Sequence, residues 1–176
     1  SMAERQGLLT TLDLQEYEVT DRTPLVTHYR GARVTTNPPP SFGGAIIVDS
    51  LDRLAASGPI GSTAQAATRA VVAITAATQR AKQSNRPRSA NGTTHISVID
   101  GEGGLASMTT SNGSCSGVML PGTGVQLNNV MGEADLHPHG FHATVPGTRI
   151  SSMMAPMLLD LPDGRVVALG SGGSER

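Results

Sequence analysis

Gly92-Thr93-Thr94-His95-Ile96-Ser97-Val98-Ile99-Asp100 is the segment from which most of the architecture can be inferred. Its even- and odd-numbered residues form two alternating sets, Thr94, Ile96 and Val98 against His95, Ser97 and Ile99. The segment follows an Asn-Gly pair and precedes a glycine-rich turn. A period of two residues between such turn signals predicts a β-strand over residues 94–99.

A hydroxyl side chain, that of Thr93, stands at the start of this strand, directly after a glycine. If the Gly92–Thr93 peptide bond were cut, Thr93 would gain an α-amine beside its own hydroxyl. An α-amine has a reference pKa of about 7.7–8.0, so it can act as the general base that a weak hydroxyl nucleophile needs. The pattern therefore indicates an N-terminal nucleophile, although on spacing alone a threonine that merely begins a strand is the commoner case.

Charge and hydropathy exclude several classes of partner. The 176 residues carry 13 Lys and Arg against 14 Asp and Glu, and the basic residues form no stripe. We therefore expect no nucleic-acid and no membrane partner. The chain has no apolar run of membrane-spanning length and no signal-peptide pattern at its start, which predicts a soluble segment. Its compartment, periplasmic, secreted or cytoplasmic, stays open, and the single cysteine excludes an internal disulfide.

Aromatic residues, which usually supply much of the buried area of a core, are scarce. The chain has no Trp, two Phe and two Tyr, but 21 Gly and 11 Pro. Aliphatic residues, alanine and methionine must therefore form the core, and much of the chain must be loop. This composition favours a segment of a larger packed body over a self-sufficient domain.

Sequence periodicity predicts helices before the central strand and strands after it. Helices are expected at residues 12–17, capped by Thr10 or Thr11, at residues 45–56, and after a capping box at residues 62–65. The last helix is predicted to bury one face, formed by Ala67, Ala70, Val71, Ile74 and Ala77. Hairpins are expected at residues 25–36 and 157–169, and a further strand at residues 105–110.

Several sequence blocks accompany the central strand. After Thr93-Thr94-His95-x-Ser97-Val98 come Arg149-Ile150-Ser151-Ser152-Met153-Met154-Ala155-Pro156 and Gly170-Ser171-Gly172-Gly173-Ser174. The N-terminal half adds Asp13-Leu14-x-x-Tyr17, Arg22-Thr23-Pro24, Tyr29-Arg30-Gly31 and Pro38-Pro39-Pro40-Ser41-Phe42-Gly43-Gly44. In this order the blocks resemble the γ-glutamyltranspeptidase family, and the resemblance covers nearly the whole chain.

The resemblance implies an α+β chain that forms part of the four-layer αββα sandwich of N-terminal-nucleophile hydrolases. Residues 1–92 would be the C-terminal part of the large subunit and residues 93–176 the N-terminal part of the small subunit. Autocatalytic cleavage between Gly92 and Thr93 would separate them, leaving a heterodimer with the remainder of both subunits. The family's reaction needs no cofactor and no metal.

Three residues would supply the chemistry in this family. Thr93 would attack first its own preceding carbonyl and then a γ-glutamyl amide, forming an acyl-threonine intermediate. The backbone N–H groups of Gly172 and Gly173 would stabilise the oxyanion of the tetrahedral intermediate, where one such donor is worth about 2.7–4 kcal/mol. A glycine-rich turn without a ligand is the structural alternative.

The donor substrate would be held by five further residues. Ser151 and Ser152 match the family's serine pair, which binds the donor α-carboxylate, but no residue here matches the arginine that neutralises it. Ser111 and Asn112 fall near a Thr-x-Asn motif that holds the nucleophile, with Thr110 as an alternative to Ser111. Glu133 stands where a carboxylate receives the α-ammonium, and Val130 replaces a polar residue that assists it.

One cluster of metal-binding residue types and a single cysteine lie outside this pattern. A zinc site could be formed by four residues with suitable side chains, Asp135, His137, His139 and His142, but Pro138 and Gly140 indicate an irregular loop. Cys115 lies among small residues with no activating neighbour, so it is not expected to be a nucleophile.

The resemblance therefore predicts transfer of a γ-glutamyl group from glutathione or a related amide to water, an amino acid or a peptide. A cephalosporin-acylase-like amidase that takes a glutaryl group is the alternative within the same fold. The alternative outside the enzymes is a non-catalytic fragment with a structural or partner-binding role.

Overall fold

The computed structural model describes residues 7–58, 64–81, 93–137 and 139–172. Ser62 and Thr63 of the predicted capping box, Gly92 of the predicted cleavage site and Gly173 lie outside the described residues.

A short helix, α1 at Thr11–Gln15, begins the described chain with the predicted cap. The backbone N–H of Asp13 donates to Oγ1 of Thr10 at 3.3 Å, and the N–H of Thr10 donates to Oδ2 of Asp13 at 2.6 Å. These reciprocal bonds satisfy two N–H groups that a helix start leaves without intrahelical partners. The hydrogen bonds from Thr10 also hold the pKa of the Asp13 carboxyl below its ordinary value.

Four strands form an antiparallel sheet that combines distant parts of the chain. The strands are β1 at Leu25–Tyr29, β2 at Ala32–Thr36, β5 at Met157–Asp160 and β6 at Val166–Leu169, in the order β1-β2-β5-β6. In the β2–β5 ladder Val34 lies opposite Leu159, and Arg33 forms an ion pair with Asp160 at 3.0 Å. Both predicted hairpins are thereby confirmed, and β2–β5 pairing joins them.

The central strand forms a separate hairpin, with β3 at Thr93–Ile99 paired to β4 at Leu105–Ser111. The turn between them is closed by Asp100, whose Oδ1 accepts the N–H groups of Glu102 at 2.9 Å and Gly104 at 2.7 Å. Each strand is one residue longer than predicted, because Thr93 and Ser111 also pair. Thr93 is therefore the first residue of its strand.

The hairpin lies against β6, the last strand of the four-stranded sheet. Two serine hydroxyls on one face of the hairpin donate to β6 carbonyls, Ser97 to Ala168 at 3.3 Å and Ser107 to Leu169 at 3.0 Å. These two bonds join the hairpin to the four-stranded sheet at the C-terminal end of β6.

Two longer helices pack together beside the larger sheet, α2 at Phe42–Ala56 and α3 at Ala64–Ala81. The predicted face of α3 is wrong for its two larger members, since Val71 and Ile74 are 62% and 48% exposed, whereas Ala70 is half-buried. The side chains of Ala67 and Ala77 lie outside the described part of the structure, and Ala66 and Ala73 are buried. The buried residues of α3 are therefore small alanines, and α3 packs against α2. No helix among the described residues is long and apolar enough to cross a membrane.

Candidate active site

The Thr93 side chain is held by a hydroxyl across the hairpin. Thr93 lies directly opposite Ser111, and its Oγ1 donates to the Oγ of Ser111 at 3.1 Å. The backbone N–H of Gly113 donates to the same Oγ, also at 3.1 Å. Thr110 instead lies opposite Thr94, so its side chain belongs to the other face of the hairpin. Of the two hydroxyls left open by the sequence, it is Ser111 that contacts Thr93.

A buried carboxylate, that of Glu133, lies beside Gly113, the residue whose N–H donates to Ser111. Glu133 is only 6% exposed and sits between two 3-10 turns, Val130–Gly132 and Ala134–Leu136. A Cβ built on Gly113 would lie 2.0 Å from Oε1 of Glu133 and 2.3 Å from Oδ1 of Asn129. Gly113 has φ +61°, which disfavours other residues, and the space beside it is already filled by these two oxygens. Two acceptor oxygens therefore converge beside the residue that bonds Ser111.

Asn112 organises the loop that carries this carboxylate. Its backbone carbonyl accepts the N–H groups of Cys115 at 3.0 Å and Asn129 at 3.3 Å, and its side-chain amide donates to the Gln126 carbonyl at 3.3 Å. The amide of Asn112 is thus engaged within the loop, with the Gln126 carbonyl and not with Thr93. Asn129, which sequence reasoning did not single out, accepts the Ser114 N–H at 2.7 Å and contributes an oxygen beside Glu133.

The His137 side chain stabilises the loop around Glu133 through contacts with Val130 and Phe141. Its imidazole is 2% exposed, its Nε2 donates to the Val130 carbonyl at 3.1 Å, and its ring lies 6.1 Å from that of Phe141. The same carbonyl accepts the N–H of Glu133 at 3.1 Å. His137 therefore serves the loop, and no group of three potential metal ligands lies together in the described part of the chain.

The predicted serine pair lies at the start of α2. Ser152 forms an isolated parallel bridge with Ser41, and its carbonyl accepts the N–H of Phe42 at 2.8 Å. This fixes the backbone of the pair against a helix end. The neighbouring Arg149 points elsewhere: its guanidinium lies 5.4 Å from the Tyr17 ring and donates to Oγ1 of Thr20 at 3.0 Å.

Gly172 lies directly on the first residues of β3. A Cβ built on Gly172 would lie 2.7 Å from the Thr93 carbonyl oxygen and 3.2 Å from Cα of Thr94. Backbone can approach backbone this closely only where no side chain intervenes. The structure thus brings one of the two predicted oxyanion glycines to the predicted nucleophile.

A cavity of about 450 Å³ opens beside Thr93. Its apolar wall comes from Ile47 of α2 and from the residues after the serine pair, among them Met153, Met154 and Met157. Thr109 and Ser171 add hydroxyl groups near Thr93. Thr109 lies on the same face of the hairpin as Thr93 and Ser111; sequence reasoning did not single it out, because the strand period does not set the register between β3 and β4.

Comparison with solved structures identifies the class of fold. The cephalosporin acylase from Bacillus halodurans superposes with a TM-score of 0.69 over 95% of this chain and 37% of its own, at 22% sequence identity. This confirms the predicted α+β class and the N-terminal-nucleophile hydrolase fold. The family model of gamma-glutamyltranspeptidase matches residues 1–78 and 55–176. The chain belongs to the γ-glutamyltranspeptidase family.

Curated relatives carry two kinds of name. The Acylase ACY 1 proenzyme of Pseudomonas sp. (strain SE83) is 30% identical over 99% of this chain and 39% of its own length. Glutathione hydrolase 2 of Arabidopsis thaliana is 30% identical over 95% of this chain and 39% of its own length, and the glutathione hydrolase proenzyme of Escherichia coli (strain K12) is 28% identical over 99% and 40%. The chain thus spans about two-fifths of the length of these relatives.

Proposed function

We propose that this chain is the processing-site segment of an N-terminal-nucleophile enzyme that acts on γ-glutamyl amides. Residues 1–92 would end the large subunit, and residues 93–176 would begin the small subunit. The enzyme would transfer a γ-glutamyl group from glutathione or a related amide to water, an amino acid or a peptide. Family membership supports this general chemistry.

The observation that carries the proposal is the arrangement around Thr93. Its hydroxyl donates to Ser111, Gly172 lies against its carbonyl, and a cavity opens beside it. An N-terminal nucleophile needs an oriented hydroxyl, nearby backbone donors for an oxyanion and room for an acyl group. Thr93 has these features at the first position of a strand.

Processing would begin with attack of the Thr93 Oγ1 on the carbonyl carbon of Gly92. The C–O bond forms, the Gly92–Thr93 C–N bond breaks, and the hydroxyl proton passes to the released α-amine. Water then hydrolyses the ester, leaving a carboxylate on Gly92 and a free amine on Thr93. That amine becomes the general base for the second reaction.

In turnover the Thr93 Oγ1 would attack the γ-carbonyl of the donor while its α-amine takes the proton. The N–H groups of Gly172 and Gly173 would stabilise the tetrahedral oxyanion. Collapse breaks the donor C–N bond, and the leaving amine receives the proton. Water or an acceptor amine then attacks the acyl-threonine ester and restores the enzyme.

The donor amino acid would be recognised by charge. Glu133 and Asn129 present two oxygens near Ser111, a favourable place for an α-ammonium group. Ser151 and Ser152 would hydrogen-bond the α-carboxylate, and Asn112 would hold the loop that carries the ammonium site. Arg149, the arginine next to the serine pair, would not take part, since its side chain contacts residues 17–20.

A second candidate is an amidase that takes a glutaryl group, which lacks the α-ammonium. Val130 favours it, because an apolar residue stands where the family pattern has a polar one, and two relatives are named acylase. The buried Glu133 opposes it, since a glutaryl group gives this carboxylate no cation to bind. A non-catalytic structural role is the third possibility.

Intact mass measurement of the full-length polypeptide tests the proposal. We expect two products, the second with Thr93 at its N-terminus, and a single uncut chain in Thr93→Ala. Thr93→Ser is the matched control, because it keeps the hydroxyl and should still be cut. Cleavage at another bond, or cleavage that persists in Thr93→Ala, would contradict the mechanism. Activity of the processed protein on γ-glutamyl and glutaryl anilides then separates the two enzymatic candidates.

A further inference from the structure

The His95 imidazole lies on the same face of β3 as the Thr93 side chain, with both ring nitrogens hydrogen-bonded. Nδ1 lies 2.8 Å from Oγ1 of Thr109, and Nε2 lies 2.9 Å from Oγ of Ser97. With both nitrogens engaged, the ring is not arranged to act on a substrate. Its contribution must pass through the groups it holds.

The direction of these bonds follows from the third member of the chain. Ser97 Oγ donates its proton to the Ala168 carbonyl at 3.3 Å, so towards His95 it can only accept. Nε2 therefore carries a ring proton and donates to Ser97; in the tautomer with that single proton, Nδ1 accepts from the Thr109 hydroxyl. This is a one-way relay of hydrogen bonds from β4 through β3 to the carbonyl of a β6 residue.

The free edge of the ring faces Gly170. A Cβ built on Gly170 would lie 2.1 Å from both Cε1 and Nδ1 of His95 and 2.7 Å from Nε2. The imidazole therefore occupies the space that a side chain at position 170 would need. Ser107 donates to the Leu169 carbonyl at 3.0 Å, so consecutive residues 168, 169 and 170 are each held by the hairpin.

Gly172 lies two residues beyond this anchored backbone, against the Thr93 carbonyl. We propose that His95 is a positioning residue: its imidazole fixes Gly170 and thereby sets Gly172 at the distance from Thr93 that oxyanion stabilisation requires. The inference rests on the proposed function, because that function gives Gly172 its catalytic role. His95 would therefore affect stabilisation of the transition state and not binding of the donor substrate.

A double-mutant cycle tests the contact itself. In the full-length polypeptide, Gly170→Ala should lower the Tm, because its methyl group collides with the imidazole. His95→Ala/Gly170→Ala should regain most of that loss, since the methyl group then enters the space the ring has left. Gly101→Ala is the matched control: position 101 has no atom within 4 Å of an added Cβ, and we expect wild-type Tm and activity.

The kinetic arm tests the positioning role. A misplacement of about 1 Å can cost about 10²-fold in rate, so we expect kcat for a γ-glutamyl anilide to fall 10- to 100-fold in His95→Ala and Gly170→Ala. KM should change less than about twofold, since donor binding does not use Gly172. The double variant should regain part of the kcat that Gly170→Ala loses, since the methyl group then enters the space the imidazole has left. His95→Gln, whose amide can still donate to Ser97, should keep more activity than His95→Ala.

The Tm and kcat measurements together distinguish failure of this inference from failure of the proposed function. If the double variant recovers neither Tm nor kcat, the inference is overturned, whatever the activity of the wild type. A loss that appears in KM with kcat unchanged also overturns it. If the wild type is inactive on γ-glutamyl anilides but the Tm cycle shows recovery, the proposed function fails while the His95–Gly170 contact stands.

Discussion

Replacing Gly113 by alanine should disable the proposed ammonium site more than it disturbs the nucleophile. The added Cβ would lie 2.0 Å from Oε1 of Glu133 and 2.3 Å from Oδ1 of Asn129. Neither oxygen can stay at that distance, so the carboxylate must retreat by about 1 Å or more, a displacement that can cost about 10²-fold in rate. The α-ammonium of a donor would then lose its principal partner.

Backbone strain has to be separated from this steric effect. Gly113 has φ +61°, a conformation that costs an alanine about 1–2 kcal/mol. Gly117 in the same loop has φ +72° but no atom within 4 Å of an added Cβ. Gly117→Ala therefore reproduces the backbone cost without the collision, and it is the matched control.

The assay is kcat/KM for γ-glutamyl and glutaryl anilides on the processed protein. We expect Gly113→Ala to reduce kcat/KM for the γ-glutamyl donor about 100-fold relative to Gly117→Ala, with a much smaller reduction for the glutaryl donor. Since Gly113 also donates to Ser111, a common loss on both donors would report disturbance of the nucleophile. Equal kinetics in the two alanine variants would refute the placement of Glu133 in the donor site.

Three further substitutions probe the site from other directions. Glu133→Gln should abolish the preference for γ-glutamyl over glutaryl donors, because the charge that distinguishes them is removed; an unchanged ratio of kcat/KM values would show that Glu133 does not face the donor. Val130→Gln should lower KM for γ-glutamyl donors by supplying the missing hydrogen bond, and an equal effect on glutaryl donors would argue against that reason. Gly173→Ala keeps the backbone N–H but should displace it, so we expect kcat to fall with KM nearly unchanged, by at most the roughly 10²–10³-fold that loss of one oxyanion donor costs. Steady-state kinetics with the opposite pattern would remove Gly173 from the oxyanion site.

Local signals in the sequence predicted the hairpins well. The two-residue turn Arg30-Gly31 has φ +52° and +81°, the geometry that suits a tight hairpin, so the register of β1 and β2 follows from the turn itself. In the same way the connection at residues 100–104 brings Ser111 opposite Thr93. The alternation along β4 puts Thr110 and Ser111 on opposite faces of the hairpin. The observed register shows that Ser111 lies on the face of Thr93.

Packing between distant segments was not predictable from periodicity. Nothing in β2 indicates that it pairs with β5, more than a hundred residues along the chain. Helix α2 begins at Phe42, three residues before the predicted start, although Gly43 and Gly44 are poor helix formers. Both glycines are buried in tertiary contacts that override their propensity.

The residues of the candidate site likewise fall into those that sequence motifs predicted and those that depend on the fold. Motif resemblance led to Thr93, Ser111, Glu133 and Gly172, which lie in or near one region of the structure. Asn129 was missed because its role depends on a loop fold that brings it to Gly113. The boundaries at Gly92 and the role of Gly173 remain predictions that the experiments above test.

The β2–β5 ladder gives the proposed cleavage a thermodynamic consequence. One of its strands precedes the Gly92–Thr93 bond and the other follows it, so cutting that bond leaves two polypeptides sharing one sheet. With a single cysteine in the chain, no disulfide within it can link the pieces. Unfolding of the cut protein would release two molecules instead of one, so its stability would depend on protein concentration, unlike that of the uncut precursor. Processing would thereby convert a reversible intramolecular equilibrium into an assembly that dilution weakens.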